Sequence, residues 1–165
     1  MGGIITLEMY REVPERFLVA LLLGTTTAAA PIPEKYPWNG LAKQARVESV
    51  ASLLPLFVDD ELSGTARLNN PGLIKFVISI VKETSVNAAA AGGYALANRR
   101  DYTSILGQIS FPVPIAEGVE DTVYPIPVAQ QLKQTIPIAR LALIRSASHL
   151  SFLERSMLAD RTIEQ

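Results

Sequence analysis

The chain has 165 residues, of which 15 are basic and 16 acidic, so its formal net charge is −1 at pH 7. This near balance argues against binding to nucleic acid or to an anionic membrane through bulk charge. The absence of cysteine excludes disulfides, thiolate metal sites and cysteine nucleophiles, and the single histidine, His149, leaves no histidine-rich metal site.

The side chains are apolar for a domain of this size. Hydrophobic residues make up 48% and charged residues 19% of the chain, whereas about 25% of residues are charged in a typical soluble domain. Either small polar residues and alanine cover the surface, or a large part of it is buried against other subunits or lipid. We favour burial in a partner or an assembly.

The first third of the chain is predicted to be helical. Pro14 suits the first turn of a helix, which would continue through the apolar run FLVALLLGTTTAAA at residues 17–30. This run is shorter than the ~20 apolar residues of a membrane span, and the acidic residues before it do not fit a signal peptide. A second helix is predicted from Asn39 or Gly40 to about Leu53.

The clearest helix is predicted to begin at residue 71. Asn70 is a good N-cap and Pro71 a good first helical residue. From Leu73 onward, apolar side chains recur with the period of a helix, and the pattern can continue through the alanine run as far as Asn98. We expect this helix to lie at the centre of the fold.

The segment 111–127, FPVPIAEGVEDTVYPIP, contains four prolines. Because each proline fixes φ and removes a backbone donor, the segment is predicted to be an irregular extended arm that crosses a surface. A helical pattern resumes over residues 128–158, with a break or kink at Pro137. Short runs at 3–7 and 122–126 are the only candidates for strands.

Together these patterns predict an all-α fold. We expect an irregular bundle of about five helices in a single domain over residues 1–165. The proline-rich arm or loop at 111–127 lies within it, and any β element is short and minor.

A strip of small residues is the most unusual feature of the predicted central helix. Ala88, Ala91, Gly92 and Ala95 are spaced so that they share one helix face, on which another backbone can approach closely. The pair Gly92-Gly93 lacks the spacing of a phosphate-binding loop and follows a helix rather than a strand. We therefore predict a close-packing contact through the four spaced residues.

A compact charged cluster, Arg99, Arg100 and Asp101, follows the small-residue strip. Guanidinium groups can bind phosphate or carboxylate through two hydrogen bonds, but no basic run elsewhere supports a nucleic-acid surface. We predict a polar lock beyond the helix end, in which an arginine pairs with Asp101 or with a neighbouring subunit, or an anion contact.

No group of residues predicts a catalytic, cofactor-binding or metal site. His149 is placed on a helix and interpreted as making a hydrogen bond in a core or an interface. The acidic residues at 59–61 lack the spacing of a calcium loop, as do Glu117, Glu120 and Asp121. Both sets are interpreted as solvated loop acids.

These observations favour a non-enzymatic structural or assembly subunit of a homo-oligomeric particle, a filament or a larger multiprotein complex. Its partners would be copies of itself or other protein subunits, bound through apolar helix faces and the proline-rich arm, without a cofactor, a nucleic acid or a membrane span. The alternatives are a small regulatory protein and a helical-bundle module that binds an apolar ligand or pigment. The candidate pocket residues of that module are Met9, Phe17, Trp38, Phe57, Phe76, Tyr94 and Phe152. Zero cysteine and no convincing signal peptide favour a reducing intracellular compartment or an assembled particle.

Overall fold

A parallel β-sheet lies at the centre of the computed structural model, which describes residues 1–157. The three strands of this part of the chain are β1 (Leu22–Leu23), β2 (Val113–Gly118) and β3 (Ala139–Ile144). They lie in the order β1-β2-β3, so β2 is the central strand. The side chains of β2 are buried at nearly every position, as expected for a parallel strand that is covered on both faces.

Helices cover the sheet and fill the connections between the strands. In the described residues they are α1 (Gly2–Glu12), α2 (Ile32–Val47), α3 (Leu54–Asp59), α4 (Gly64–Asn69), α5 (Pro71–Glu83), α6 (Val86–Ala97), α7 (Thr103–Leu106), α8 (Ile126–Thr135) and α9 (Ser151–Glu154), with 3₁₀ turns at Pro14–Arg16 and Val50–Leu53. Among these residues, none of the helices combines the length and the apolar character needed to cross a membrane.

The main apolar core joins the sheet to the helices packed on it. Its buried side chains come from α1, α8, the strands and the segment around α7, and include Leu7, Leu22, Leu106, Ile115 and Leu132. Helices α2 to α6 are inserted between β1 and β2, where α2 packs along α6, and they enclose two smaller apolar clusters of their own. The inserted helices therefore form a cap on the sheet.

The prediction of an all-α bundle is wrong, and the apolar run at 17–30 is the first reason. This run is extended and contains β1, whereas the first helix covers Gly2–Glu12 and includes the strand candidate at 3–7. A short apolar run has no periodicity that distinguishes a buried strand from a buried helix.

The predicted proline-rich arm at 111–127 is also wrong, because this segment contains the central strand of the sheet. Val113 donates its backbone N–H to the carbonyl of Ile138, at the start of β3. Since successive residues of a strand direct their backbone groups to opposite sides, the nitrogen of Pro114 faces away from β3. Its missing N–H therefore leaves the β2–β3 hydrogen bonds intact.

The remaining helix predictions are confirmed in part. Asn70 caps α5 by accepting a hydrogen bond from the N–H of Leu73, and Pro71 is the first residue of that helix, as predicted. The long helix to Asn98 is instead two helices, because α5 ends before Thr84 and Ser85 caps α6. The helix predicted over 128–158 contains the strand β3, and its last residue lies outside the described residues.

Candidate active site

The three strands direct one residue each to a common edge of the sheet. Gly24 follows β1, Asp121 follows β2 and His149 follows β3. Because the strands are parallel, their carboxyl ends meet at the same edge, which is where open α/β sheets bind their ligands. This edge faces the cap.

Asp121 is held by the turn that ends β2. Its backbone N–H donates to the carbonyl of Gly118 at 3.1 Å, and its Oδ1 accepts the backbone N–H groups of Val123 at 2.7 Å and Tyr124 at 2.9 Å. The side chain is completely buried. These contacts leave Oδ2 free to accept from the loop after β3.

His149 meets that second oxygen. Its Nδ1 lies 2.8 Å from Oδ2 of Asp121. Burial raises the pKa of Asp121, but hydrogen bonds with His149 and Glu117 outweigh burial, so the net pKa is lowered and the carboxyl is ionised. Nδ1 therefore carries the proton and donates it, which leaves Nε2 as a proton acceptor.

The loop that carries His149 is fixed by Ser148 and Glu154. The backbone N–H of Ser148 donates to Oε1 of Glu154 at 2.8 Å, and the Ser148 hydroxyl shares its one hydrogen between the carbonyls of Asp60 and Glu120. Oε2 of Glu154 accepts the N–H of Ser63, at the start of α4, at 3.0 Å. One carboxylate thus joins the histidine loop to the cap.

Gly24 packs directly against the histidine. Its φ is +45°, and a Cβ atom at this position would lie 3.1 Å from Nδ1 of His149. A side chain here would have to adopt the left-handed conformation and would press on the imidazole. Glycine is therefore the residue that allows β1 to end beside the Asp121–His149 pair.

A second carboxyl lies against Asp121. Glu117 is 1% exposed, and its side chain is hydrogen bonded to that of Asp121. Burial, followed by the hydrogen bond and the charge of Asp121, raises the pKa of Glu117 to about 9. Two adjacent buried carboxyls do not both ionise, so at neutral pH Glu117 is neutral and Asp121 is charged.

A cavity of about 760 Å³ opens between this edge of the sheet and the cap. Its wall is mostly apolar and includes Trp38, Phe57, Phe152 and Val81 beside His149. Gly2 and the other first residues of α1 also line it. A volume of this size is typical of a small-molecule site.

Glu61 is a cap carboxyl in this wall. It lies in the loop between α3 and α4, and burial raises its pKa. The interpretation of Glu61, Glu117 and Asp121 as solvated loop acids is wrong, since Glu61 is partly buried in the cavity wall and the other two are buried at the active edge. Asp59, Asp60 and Glu120 are exposed, as expected.

The predicted polar lock at Arg99, Arg100 and Asp101 is divided by the structure. Arg99 is buried and donates two hydrogen bonds of 2.8 Å to the carboxylate of Glu34 in α2. It also donates to the carbonyl of Ala28 and lies over the ring of Tyr124. Asp101 instead caps the N–H of Thr103, and Arg100 is exposed.

The predicted close-packing residues are Ala88, Ala91, Gly92 and Ala95. Gly92 is half-buried and the other three are exposed. The buried face of α6 is formed by Ala90, Gly93 and Ala97. Gly93 makes the close contact within the chain, since a Cβ there would lie 2.7 Å from the carbonyl oxygen of Trp38. A contact of the four predicted residues with another molecule stays a prediction.

The sequence contains a signal for this site that composition and motif spacing missed. Asp121 follows an apolar run by a short turn that begins at Gly118, and His149 follows the apolar run LALI by a similar distance. If both runs are read as parallel strands, the two residues must lie at the same edge. Among the described residues, no group of His, Asp and Glu side chains is arranged to hold a metal ion.

No protein-family model matches the chain. The chain is 27% identical over 163 residues to the pimeloyl-[acyl-carrier protein] methyl ester esterase of Aromatoleum aromaticum, a match that covers 93% of this chain and 65% of that enzyme. It therefore spans less than two thirds of the length of this curated relative.

Solved structures of low sequence identity resemble it closely. A thermophilic esterase from Thermogutta terrifontis superposes with a TM-score of 0.93 at 21% identity, over 99% of this chain and 60% of that one. The enol-lactonase from Burkholderia xenovorans superposes with a TM-score of 0.88 at 20% identity, over 99% of this chain and 61% of that one. An alpha/beta hydrolase enzyme from a deep-sea metagenome library of the Medee basin superposes with a TM-score of 0.82 at 17% identity, over 99% of this chain and 62% of that one. The chain thus has the fold of the α/β hydrolases.

These comparisons overturn the functional predictions made from sequence. The interpretation as a non-enzymatic structural or assembly subunit is wrong, and so are the alternatives of an apolar-ligand module and a small regulator. The similar proteins are esterases and other hydrolases, which indicate an enzyme.

Proposed function

We propose that this chain carries the acid–base half of the active site of an esterase that cleaves neutral, largely apolar esters. The observation that carries the proposal is the 2.8 Å contact between Nδ1 of His149 and Oδ2 of Asp121 at the mouth of an apolar cavity. The similarity to an esterase in sequence and to esterases in structure supports it.

His149 is the proton carrier in this reaction. A hydroxyl nucleophile attacks the ester carbonyl carbon and gives its proton to Nε2, and the tetrahedral intermediate then expels the alcohol, which takes that proton from His149. Water attacks the acyl-enzyme by the same steps and releases the acid. Asp121 holds the imidazole in the productive tautomer and stabilises its positive charge.

The nucleophile is proposed to lie at the N-terminal end of α1. Among residues 1–157, no serine or threonine hydroxyl is hydrogen bonded to Nε2 of His149. In α/β hydrolases the serine lies in a Gly-x-Ser-x-Gly turn between a strand and a helix, and the chain order is serine, acid, histidine. Met1 and Gly2 match the last two positions of that turn and line the cavity with His149.

The cavity indicates the substrate class. Its wall carries the aliphatic and aromatic side chains of the cap, and Glu61 is the carboxyl that it presents near His149. An apolar wall favours an apolar acyl or alcohol group, and a buried carboxyl disfavours an anionic one. We therefore expect neutral esters to be cleaved faster than esters that carry a second carboxylate.

The test is hydrolysis of 4-nitrophenyl esters with acyl chains of increasing length by the protein. We expect D121N and H149N to lower kcat by about 10³-fold or more while circular dichroism shows an unchanged fold. A serine-directed fluorophosphonate probe should label one residue of the active protein, and H149N should abolish the label. Equal hydrolysis by the wild type and H149N would overturn the proposal.

A further inference from the structure

We propose that Glu117 is a positioning residue for the Asp121–His149 pair, in which its neutral carboxyl donates a hydrogen bond to the carboxylate of Asp121. The inference rests on the proposed function, because it assigns to Glu117 a role in the same reaction. Nothing in the sequence pattern distinguishes Glu117 from the exposed acids near it.

The place of Glu117 in the sheet makes its carboxyl unusual. It is the penultimate residue of the central strand β2, beside Leu143 of β3, and is 1% exposed. Its Oε1 accepts the backbone N–H of Gly118 at 3.1 Å. The other oxygen is thus left for the contact with Asp121, and burial removes water as a competing partner.

The carboxylate of Asp121 has an acceptor position left for a hydrogen bond from Glu117. Its Oδ1 accepts from Val123 and Tyr124, and its Oδ2 accepts from His149. A carboxylate offers about four acceptor positions, so the hydrogen bond from Glu117 completes the set. With donors on both oxygens, the carboxylate cannot rotate away from the imidazole without losing one of them.

The proton shared by the two carboxyls is what gives Glu117 a function rather than a packing role. Burial and the charge of Asp121 keep the proton on Glu117. The other titratable groups that act on the pair are His149, which donates to Asp121, and Glu61 and Tyr124, which interact with the charge of Asp121. When Glu117 loses its proton, two buried carboxylates repel each other and the donor to Asp121 is lost.

We therefore expect kcat to fall at alkaline pH, because Glu117 loses its proton there. Below the pKa of Glu117, which is about 9, the pair carries one negative charge and Asp121 holds the imidazole. Above this pKa, the two carboxylates repel each other and Asp121 no longer holds the imidazole of His149. Substrate binding in the cavity is not affected, so KM should change little.

The experiment compares the wild type with E117Q and E117L in pH profiles of kcat and KM. We expect E117L to lower kcat at pH 7 about 10- to 100-fold, because a hydrogen bond to a charged group is lost. E117Q should restore most of that loss, since its amide also donates, and should abolish the alkaline fall. E83Q, an exposed residue of α5, is the control and should keep the wild-type profile.

Several results would overturn the proposal. These are a wild-type alkaline fall retained in E117Q, or a wild-type kcat in folded E117L. If E117L does not fold, the proposal is tested with E117Q alone, by whether its kcat still falls at alkaline pH. If the wild type cleaves no ester, the proposed function fails separately. A ¹³C NMR titration of the Glu117 carboxyl then tests whether Glu117 keeps its proton beside Asp121. A carboxyl that stays neutral up to about pH 8 supports the proposal, and a carboxyl that ionises below that pH overturns it.

Discussion

Gly118 lies so close to the histidine loop that no side chain fits between them. A Cβ atom on Gly118 would be 2.6 Å from the carbonyl oxygen of Ala147 and closer still to that of Ser148. This approach brings the end of β2, with Asp121, against the loop after β3, with His149. The contact between acid and base therefore depends on a position that has no functional group.

Replacing Gly118 with alanine should destabilise the protein by about 3 kcal/mol, the upper end of the range for overpacking. The backbone of the histidine loop would have to move, so kcat should fall as well. Urea unfolding gives the free energy. The control is G40A in the interior of α2, where nothing lies near a new Cβ and alanine should stabilise the helix by about 0.5–1 kcal/mol. Equal effects of the two substitutions would contradict the close approach.

G24A should lower kcat with a smaller effect on stability. The left-handed conformation at Gly24 costs a residue with a side chain roughly 1–2 kcal/mol, and the new methyl group would press on Nδ1 of His149. A displaced imidazole should reduce kcat by about 10²-fold. G107A, at an unobstructed position, serves as the control. An unchanged kcat in G24A would show that the imidazole does not depend on this contact.

Removing Arg99 should be far more costly than removing Arg100. The Arg99 side chain is 2% exposed and pairs with Glu34, so R99M leaves the Glu34 carboxylate without its partner. The free energy of unfolding should fall by about 3 kcal/mol. This is the lower end of the range for a broken buried pair, because Glu34 is partly exposed. R100M removes an exposed charge and should change stability by less than about 0.5 kcal/mol. The double variant R99M/E34M should recover part of the loss, as measured by urea unfolding. Additive losses would argue against the pair.

The free energy of unfolding should decline as pH rises from about 4.5 to about 9, the ordinary and the folded-state pKa of Glu117. A raised folded-state pKa means that the native protein holds the proton more tightly than the unfolded chain. The contribution of this group to stability is therefore fully present below pH 4.5 and is lost toward pH 9. Glu61, whose pKa is also raised, acts in the same direction. In urea titrations, E117Q should show a smaller decline, and an unchanged slope would refute this assignment.

The two sides of α6 should respond differently to added bulk. G93A should destabilise the monomer, because the new Cβ would meet the Trp38 carbonyl across the α2–α6 contact. A91L adds bulk at an exposed position and should leave monomer stability unchanged. If Ala88, Ala91, Gly92 and Ala95 contact another molecule, A91L should instead alter the mass measured by native mass spectrometry. An unchanged mass and oligomeric state would rule that contact out.

Local chemistry is what the sequence predicted well. Asn70 and Pro71 mark the start of α5 because a side-chain acceptor and a fixed φ act within a few residues and need no tertiary partner. The helix predicted over residues 71–98 corresponds to α5 and α6, and the helix predicted from Asn39 or Gly40 overlaps α2, whereas α3 and α4 were not predicted. The break between α5 and α6 escaped because Ser85 competes with helix continuation through a cap that the apolar pattern does not show.

The sheet and the site were decided by tertiary structure. The apolar stretches FLVALLL at 17–23 and LALI at 141–144 are too short to reveal their period, and pairing with β2 makes strands of β1 and β3. Asp121 and His149 are ordinary residues in the sequence, and they become an acid–base pair because parallel strands bring their carboxyl ends to one edge. Local patterns were sufficient to predict the start of α5, where a cap and a proline act on neighbouring residues. Which apolar runs pair, and hence which polar residues meet beside the apolar cavity, depends on contacts between distant segments that no local pattern encodes.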